Sequence, residues 1–145
     1  MQLPSADLDT ILAKTDGLWN AMQTARLFLT GGTGFLGHWL LEPLLHAIHR
    51  HRLETRVILL TRDPAAFRVR ASHLASHPAV TLLQGDVATF DTAAPELKGI
   101  THVIHAAPGG HPSSLTELAE AVVQGTRRVL RLARREKVAR FLYVS

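Results

Sequence analysis

Arg26-Leu27-Phe28-Leu29-Thr30-Gly31-Gly32-Thr33-Gly34-Phe35-Leu36-Gly37 is the stretch whose reading decides the fold. Its first five residues are a largely apolar run of strand-forming side chains, the signature of a short buried strand. Residues 35–51 carry helical spacing, and Pro43 is expected to kink that helix. The turn between them can be framed as Gly31-x-x-Gly34-x-x-Gly37 or as Gly32-x-Gly34-x-x-Gly37. A strand before and a helix after are the context in which such glycines cradle a dinucleotide. One glycine permits the tight turn, a second lets the backbone approach a pyrophosphate, and a third lets helix and strand pack closely. The helix amino terminus adds N–H groups and a partial positive charge facing the phosphates. A nucleoside-triphosphate P-loop is excluded, because no Gly-Lys-Ser/Thr follows.

Outward from this turn, strands and helices alternate. Residues 56–61, 80–83, 102–106 and 141–144 read as further strands. Asp63-Pro64 opens a helix, with Asp63 as its cap and Pro64 in the first position. Ser113 or Ser114 caps a long helix that runs to about Arg135. Upstream, Ser5 is expected to cap a first helix whose Leu8, Ile11, Leu12, Leu18, Trp19 and Met22 keep a three–four spacing, with Gly17 as its weak point. Apolar strands without alternation, separated by helices, mean a parallel sheet covered on both faces. The fold expected is α/β, a doubly wound parallel sheet of order 3-2-1-4-5 with an extra amino-terminal helix. Residues 1–25 form the helical extension and 26–145 the dinucleotide-binding domain.

Composition agrees. The 145 residues suit one core, and 46% hydrophobic with 19% charged residues excludes a disordered polymer. There is no cysteine, hence no disulfide, thiolate metal site or thiol nucleophile. No apolar run approaches a membrane span, and the start carries Asp7 and Asp9 rather than a basic signal region. A soluble cytoplasmic domain with no membrane partner is expected. The net charge is +4, with seven of sixteen cations between Arg127 and Arg140. Arg127, Arg131, Arg134 and Arg135 fall at helical spacing and read as a solvated face, so no nucleic-acid partner is expected. His46 and His49 stand one helical turn apart, but no third ligand is evident, and no metal is expected. Trp19 and Trp39 read as packing anchors.

The motif from Thr30 to Gly37 resembles the opening of the extended short-chain dehydrogenase/reductases, the epimerase/dehydratase family, in their amino-terminal Rossmann-like part. Three further stretches resemble that family in the right order: Gly85-Asp86-Val87, His105-Ala106-Ala107 and Gly125-Thr126. The resemblance implies a dinucleotide held by Gly31, Thr33, Gly34, Phe35, Leu36 and Gly37. Asp86 would take the adenine amino group beside Val87, and His105, Ala106 and Ala107 would lie along the cofactor. Family members that prefer NAD carry an aspartate at the end of the second strand. Here that end reads Thr61-Arg62-Asp63, so NADP is favoured over NAD, with Arg62 on the 2′-phosphate. A one-residue shift would instead bring Asp63 to the ribose.

The resemblance further implies an oxidoreductase acting on a nucleotide sugar by hydride transfer, and it admits a homodimer. Extended reductases of carbonyl or acyl-thioester substrates and a non-catalytic NAD(P)-binding regulator share the same motifs. Two departures stand out. Val122 occupies the place of an asparagine, which loosens the active-site end of the long helix. The family's catalytic tyrosine, followed four positions later by lysine, has no counterpart: Tyr143 is the sole tyrosine and reads as a sheet residue. Ser145 borders the expected catalytic site without belonging to it. The chain therefore reads as the cofactor-binding part of a longer enzyme, truncated within or just after the fifth strand, and inactive alone.

Overall fold

A computed structural model describes residues 2–107 and 114–144. Five strands, β1 (Arg26–Thr30), β2 (Arg56–Thr61), β3 (Val80–Gln84), β4 (His102–His105) and β5 (Arg140–Tyr143), form one sheet of order β3-β2-β1-β4-β5. All pairings are parallel, with Thr30 level with Leu60 on one side and His105 on the other. The doubly wound topology is as the sequence implies.

The middle residues of β1 and β2 are apolar without alternation because both faces are covered. Leu27, Leu29, Val57 and Leu59 point into one core, formed with Leu41, Leu45 and Ile48 of α2 (Phe35–His51). Phe28, Ile58, Leu60 and Val103 point into the other, against Val129 and Leu132 of α5 (Leu115–Arg135). Each fully buried side chain of this size contributes about 1.5–3 kcal/mol of transfer free energy, so the β1–β2 pair anchors the fold. Between β2 and β3 lie α3 (Pro64–Arg70) and α4 (Ser72–Ala75), with Asp63 capping α3 by accepting the Ala66 N–H at 2.9 Å. Ser114 caps α5, accepting the Glu117 N–H at 3.1 Å; Ser113 lies outside the described residues.

Several local expectations are corrected. The first helix, α1 (Ser5–Lys14), is capped by Pro4, and Ser5 is its first helical residue. It does not reach Met22. The Thr15 hydroxyl donates to the Ile11 carbonyl at 2.7 Å, and Gly17 turns left-handed at φ 87°, so Trp19–Met22 is a separate 3-10 turn. β3 extends one residue to Gln84, β4 stops at His105, and β5 is displaced by one residue. Ala106 and Val144 still donate across the ladder to Thr30 and His105.

The amino-terminal segment is held by one buried carboxylate. Glu42 of α2, 6% exposed, accepts the Leu3 N–H at 2.6 Å on one oxygen and His73 Nε2 at 2.9 Å on the other. His46, one turn on, lies 3.2 Å from Asp9 of α1. Removing Glu42 leaves two donors without their acceptor. Glu42→Ala should lower stability by about 1–3 kcal/mol, and thermal unfolding should show a clear drop in Tm, smaller for Glu42→Gln.

Candidate functional site

The carboxyl ends of β1, β2 and β4 open onto a cleft of about 290 Å³. It is lined by residues of the glycine turn, of the β2 end, of the turn after β3, and by Ala106 and Ala107. Every cofactor residue expected from the sequence lines it except His105. Thr30, Leu60 and Gly85 also line it and were missed. Gly85 was visible as part of the Gly-Asp-Val motif, whereas Thr30 and Leu60 enter through the strand register.

The glycines divide by what stands where a side chain would go. A Cβ on Gly31 would lie 2.5 Å from the Ala106 backbone, and its φ of 76° also disfavours other residues. A Cβ on Gly37 would stand 2.3 Å from the Gly32 Cα, so the first turn of α2 sits directly on the turn. Gly32 packs inward against Leu29 and Leu59. Gly34 is different. Its backbone is ordinary (φ −84°), and the nearest atom to an added Cβ is 3.4 Å away, in ordinary contact. Among the described residues no packing contact demands glycine there, yet it lines the cleft. Gly31, Gly32 and Gly37 are thus fixed by close packing, and Gly34 is not.

At the β2 end, Thr61 and Arg62 line the cleft and Arg62 is exposed. Asp63 is not among the lining residues, and its carboxylate is engaged as the α3 cap. Asp86 folds its own turn, accepting the Ala88 N–H at 2.8 Å, and still borders the cleft. Val87 packs on Gly125: a Cβ there would meet Val87 Cγ1 at 2.9 Å. The glycine thus lets α5 approach the turn after β3.

His105 acts behind the wall. Its ring is 1% exposed, with Nδ1 2.7 Å from Thr30 Oγ1 and Nε2 3.1 Å from Thr126 Oγ1. Thr30 Oγ1 also accepts the Ala107 N–H at 3.3 Å. The side chain joins the ends of β1 and β4 to α5 and gives Thr126 a task beside Gly125. Burial holds its pKa below the ordinary 6.5.

The remaining sequence candidates separate cleanly. His46 is taken up with Asp9, His49 is exposed, and among the described residues no three side chains are grouped to hold a metal. Arg127, Arg131 and Arg134 are exposed on α5, while Arg135 bonds Glu136 and the Thr92 carbonyl. Tyr143 ends the edge strand β5, 45% exposed, its ring 5.5 Å from that of His105. Ser145 lies outside the described residues. Among them no helix is long and apolar enough to cross a membrane.

A glycine turn between a central parallel strand and a covering helix, with a cleft across the sheet's switch point, defines a Rossmann-like domain. The chain belongs to the NAD dependent epimerase/dehydratase family, whose pattern matches residues 27–145. A 3 beta-hydroxysteroid dehydrogenase/Delta 5-->4-isomerase of Mycobacterium tuberculosis is 32% identical, the match covering 85% of this chain and 32% of that protein. A 3-beta-hydroxysteroid dehydrogenase of Mycolicibacterium neoaurum is 28% identical over 83% of this chain and 31% of its own length. The chain thus spans about a third of the length of these curated relatives. Among solved structures, DesIV of Streptomyces venezuelae, a dTDP-glucose 4,6-dehydratase with NAD bound, superposes with a TM-score of 0.64. It is 28% identical, over 80% of this chain and 38% of that one. Vestitone reductase from alfalfa follows at 0.59 and 26% identity, over 83% and 36%.

Protonating His105 would place a charge in its buried site, so the folded state favours the neutral ring. The unfolded chain takes up the proton first as pH falls below about 6.5, and the stability due to His105 is lost in that direction. Glu136, held below its ordinary 4.5 by the Gly99 N–H and by Arg135, loses its contribution only at more acid pH. Between pH 7.5 and 5 the wild type should therefore lose more Tm than His105→Asn, as thermal melts at matched ionic strength will show.

Proposed function

We propose that this chain is the NAD(P)-binding portion of an oxidoreductase that moves hydride between a dinucleotide and a substrate alcohol or carbonyl carbon. Gly34 carries the reading: a glycine that packing among the described residues does not require, at the point where the cleft meets the amino terminus of α2. A ligand backbone passing close over that residue is the remaining reason to forbid a side chain. The residues fit a dinucleotide. Gly31, Thr33, Gly34, Phe35, Leu36 and Gly37 would hold its pyrophosphate, Asp86 and Val87 the adenine end, and Ala106 and Ala107 the stretch between. His105 supports them from behind. When bound, the dinucleotide supplies the hydride-carrying carbon.

The substrate class is a secondary alcohol interconverted with its ketone. The nucleotide sugar expected from the motifs is one such compound, and the hydroxysteroid in the names of the mycobacterial relatives is another. In the family this proton transfer is expected of a tyrosine whose pKa is lowered by a nearby lysine. Tyr143, the one tyrosine of these 145 residues, does not line the cleft. The 145-residue polypeptide should bind dinucleotide without turnover. Gly34→Val should keep the wild-type melting profile and lose cofactor binding in calorimetric titration. Undiminished binding by a folded Gly34→Val protein would refute the site.

NADP preference belongs to the same reading. What supports it is the placement of Thr61 and Arg62 on the cleft while Asp63 is engaged as a helix cap. A charge-assisted pair between a guanidinium and a 2′-phosphate is worth about 1.5–3 kcal/mol. Arg62→Ala should thus weaken NADP roughly tenfold to a hundredfold while sparing NAD, and less so in high salt. Equal losses for both cofactors, or tighter NAD than NADP in the wild type, would overturn the preference.

A further inference from the structure

Two carbonyl groups of the glycine turn are held by side chains from outside it. Thr33 O accepts a guanidinium N–H of Arg70, the last residue of α3, at 3.0 Å. Gly34 O accepts the His38 backbone N–H at 3.0 Å and ring Nδ1 at 2.9 Å. Gly31 O accepts the Gly34 N–H at 3.1 Å, closing the turn. A carbonyl can only accept, so Nδ1 of His38 carries a hydrogen whether the ring is neutral or charged. The buried Phe67 of α3 meets that ring edge-on, with centroids 6.0 Å apart. Both supports therefore lead back to α3.

This arrangement has an electrostatic consequence. A turn that receives an anion must present N–H groups and turn its carbonyl dipoles away. The peptide unit is planar and trans, so a carbonyl held in one direction sends the N–H of the same unit in the opposite one. Drawing the Gly34 carbonyl back along α2 directs the Phe35 N–H forward, past the helix amino terminus. Anchoring the Thr33 carbonyl to Arg70 keeps the Gly34 N–H on Gly31 O. The turn is thereby set before any ligand arrives.

We propose that Arg70 and His38 are positioning residues for a dinucleotide pyrophosphate, fixing the peptide planes of residues 33–35 without touching the ligand's ribose phosphate. The inference rests on reading the cleft as a dinucleotide site. It accounts for two polar side chains that no glycine fingerprint calls for.

Calorimetric titration of the full 145-residue chain with NAD, NADP and ADP-ribose tests it. Arg70→Met should weaken all three by about five- to tenfold, the loss of one charge-assisted bond at an exposed site. Arg70→Lys, which keeps a cationic donor, should recover most of that. His38→Leu should act likewise, and His38→Asn, whose amide nitrogen replaces Nδ1 as donor, should recover it. The NADP-to-NAD ratio should stay constant in all four, unlike in Arg62→Ala. Wild-type protein that binds none of the probes overturns the site reading and the inference with it. Wild-type binding left intact by Arg70→Met and His38→Leu overturns the inference alone. So does a loss confined to NADP, which would make Arg70 a 2′-phosphate ligand. A loss that neither conservative variant recovers would assign a packing role and also overturn it.

Discussion

The contact between the first turn of α2 and the end of β1 governs the rest of the structure. Gly37 lies so close to the Gly31 and Gly32 backbone that a single methyl group would overlap it. That closeness seats α2 across one face of the sheet, where Leu41, Leu45 and Ile48 bury against Leu27, Leu29 and Leu59. It also brings the helix amino terminus over the carboxyl ends of the strands. One steric allowance therefore sets both the larger core and the position of the cleft. Packing of this density leaves little room for compromise, since interiors have few voids to absorb a displaced helix.

The second face is fixed by a different device. His105 and Thr126 bind α5 to the β1–β4 ends by hydrogen bonds, and Gly125 lets the helix approach Val87. A buried imidazole with both nitrogens partnered specifies geometry, whereas an apolar residue of equal size would tolerate sliding. The cleft is thus walled by a steric contact on the α2 side and a polar network on the α5 side. Arg128 adds to the second side, donating to the Phe90 and Thr89 carbonyls in the segment after β3.

The parts legible in the sequence are those whose cause is local. β1 and β2 are read correctly because both faces of a central parallel strand are buried, which leaves an unbroken apolar run. Asp63-Pro64 announces α3 because a cap and a first-turn proline act within four residues. The α1 boundary fails for the converse reason: Leu18, Trp19 and Met22 keep the three–four spacing while Gly17 has already turned the chain aside. Glu42 is unreadable, since its partners Leu3 and His73 stand 39 and 31 positions away. His105 is half-legible. Its place after β4 marks it for the site, but its bonds to Thr30 and Thr126 cross 75 and 21 positions and turn it away from the cleft.

The same distinction explains why the site is recognisable at all. A pattern of glycines records where side chains are forbidden, not what forbids them. At Gly31, Gly32 and Gly37 the obstruction is this chain's own backbone or neighbouring side chains, so those glycines would persist in a domain that binds nothing. At Gly34 the described residues offer an added Cβ only an ordinary contact. Only the three-dimensional arrangement separates the two kinds. The Thr33 and Gly34 carbonyls are held by Arg70 and His38, so the peptide planes at the mouth of the cleft are fixed by side chains that stand outside the motif.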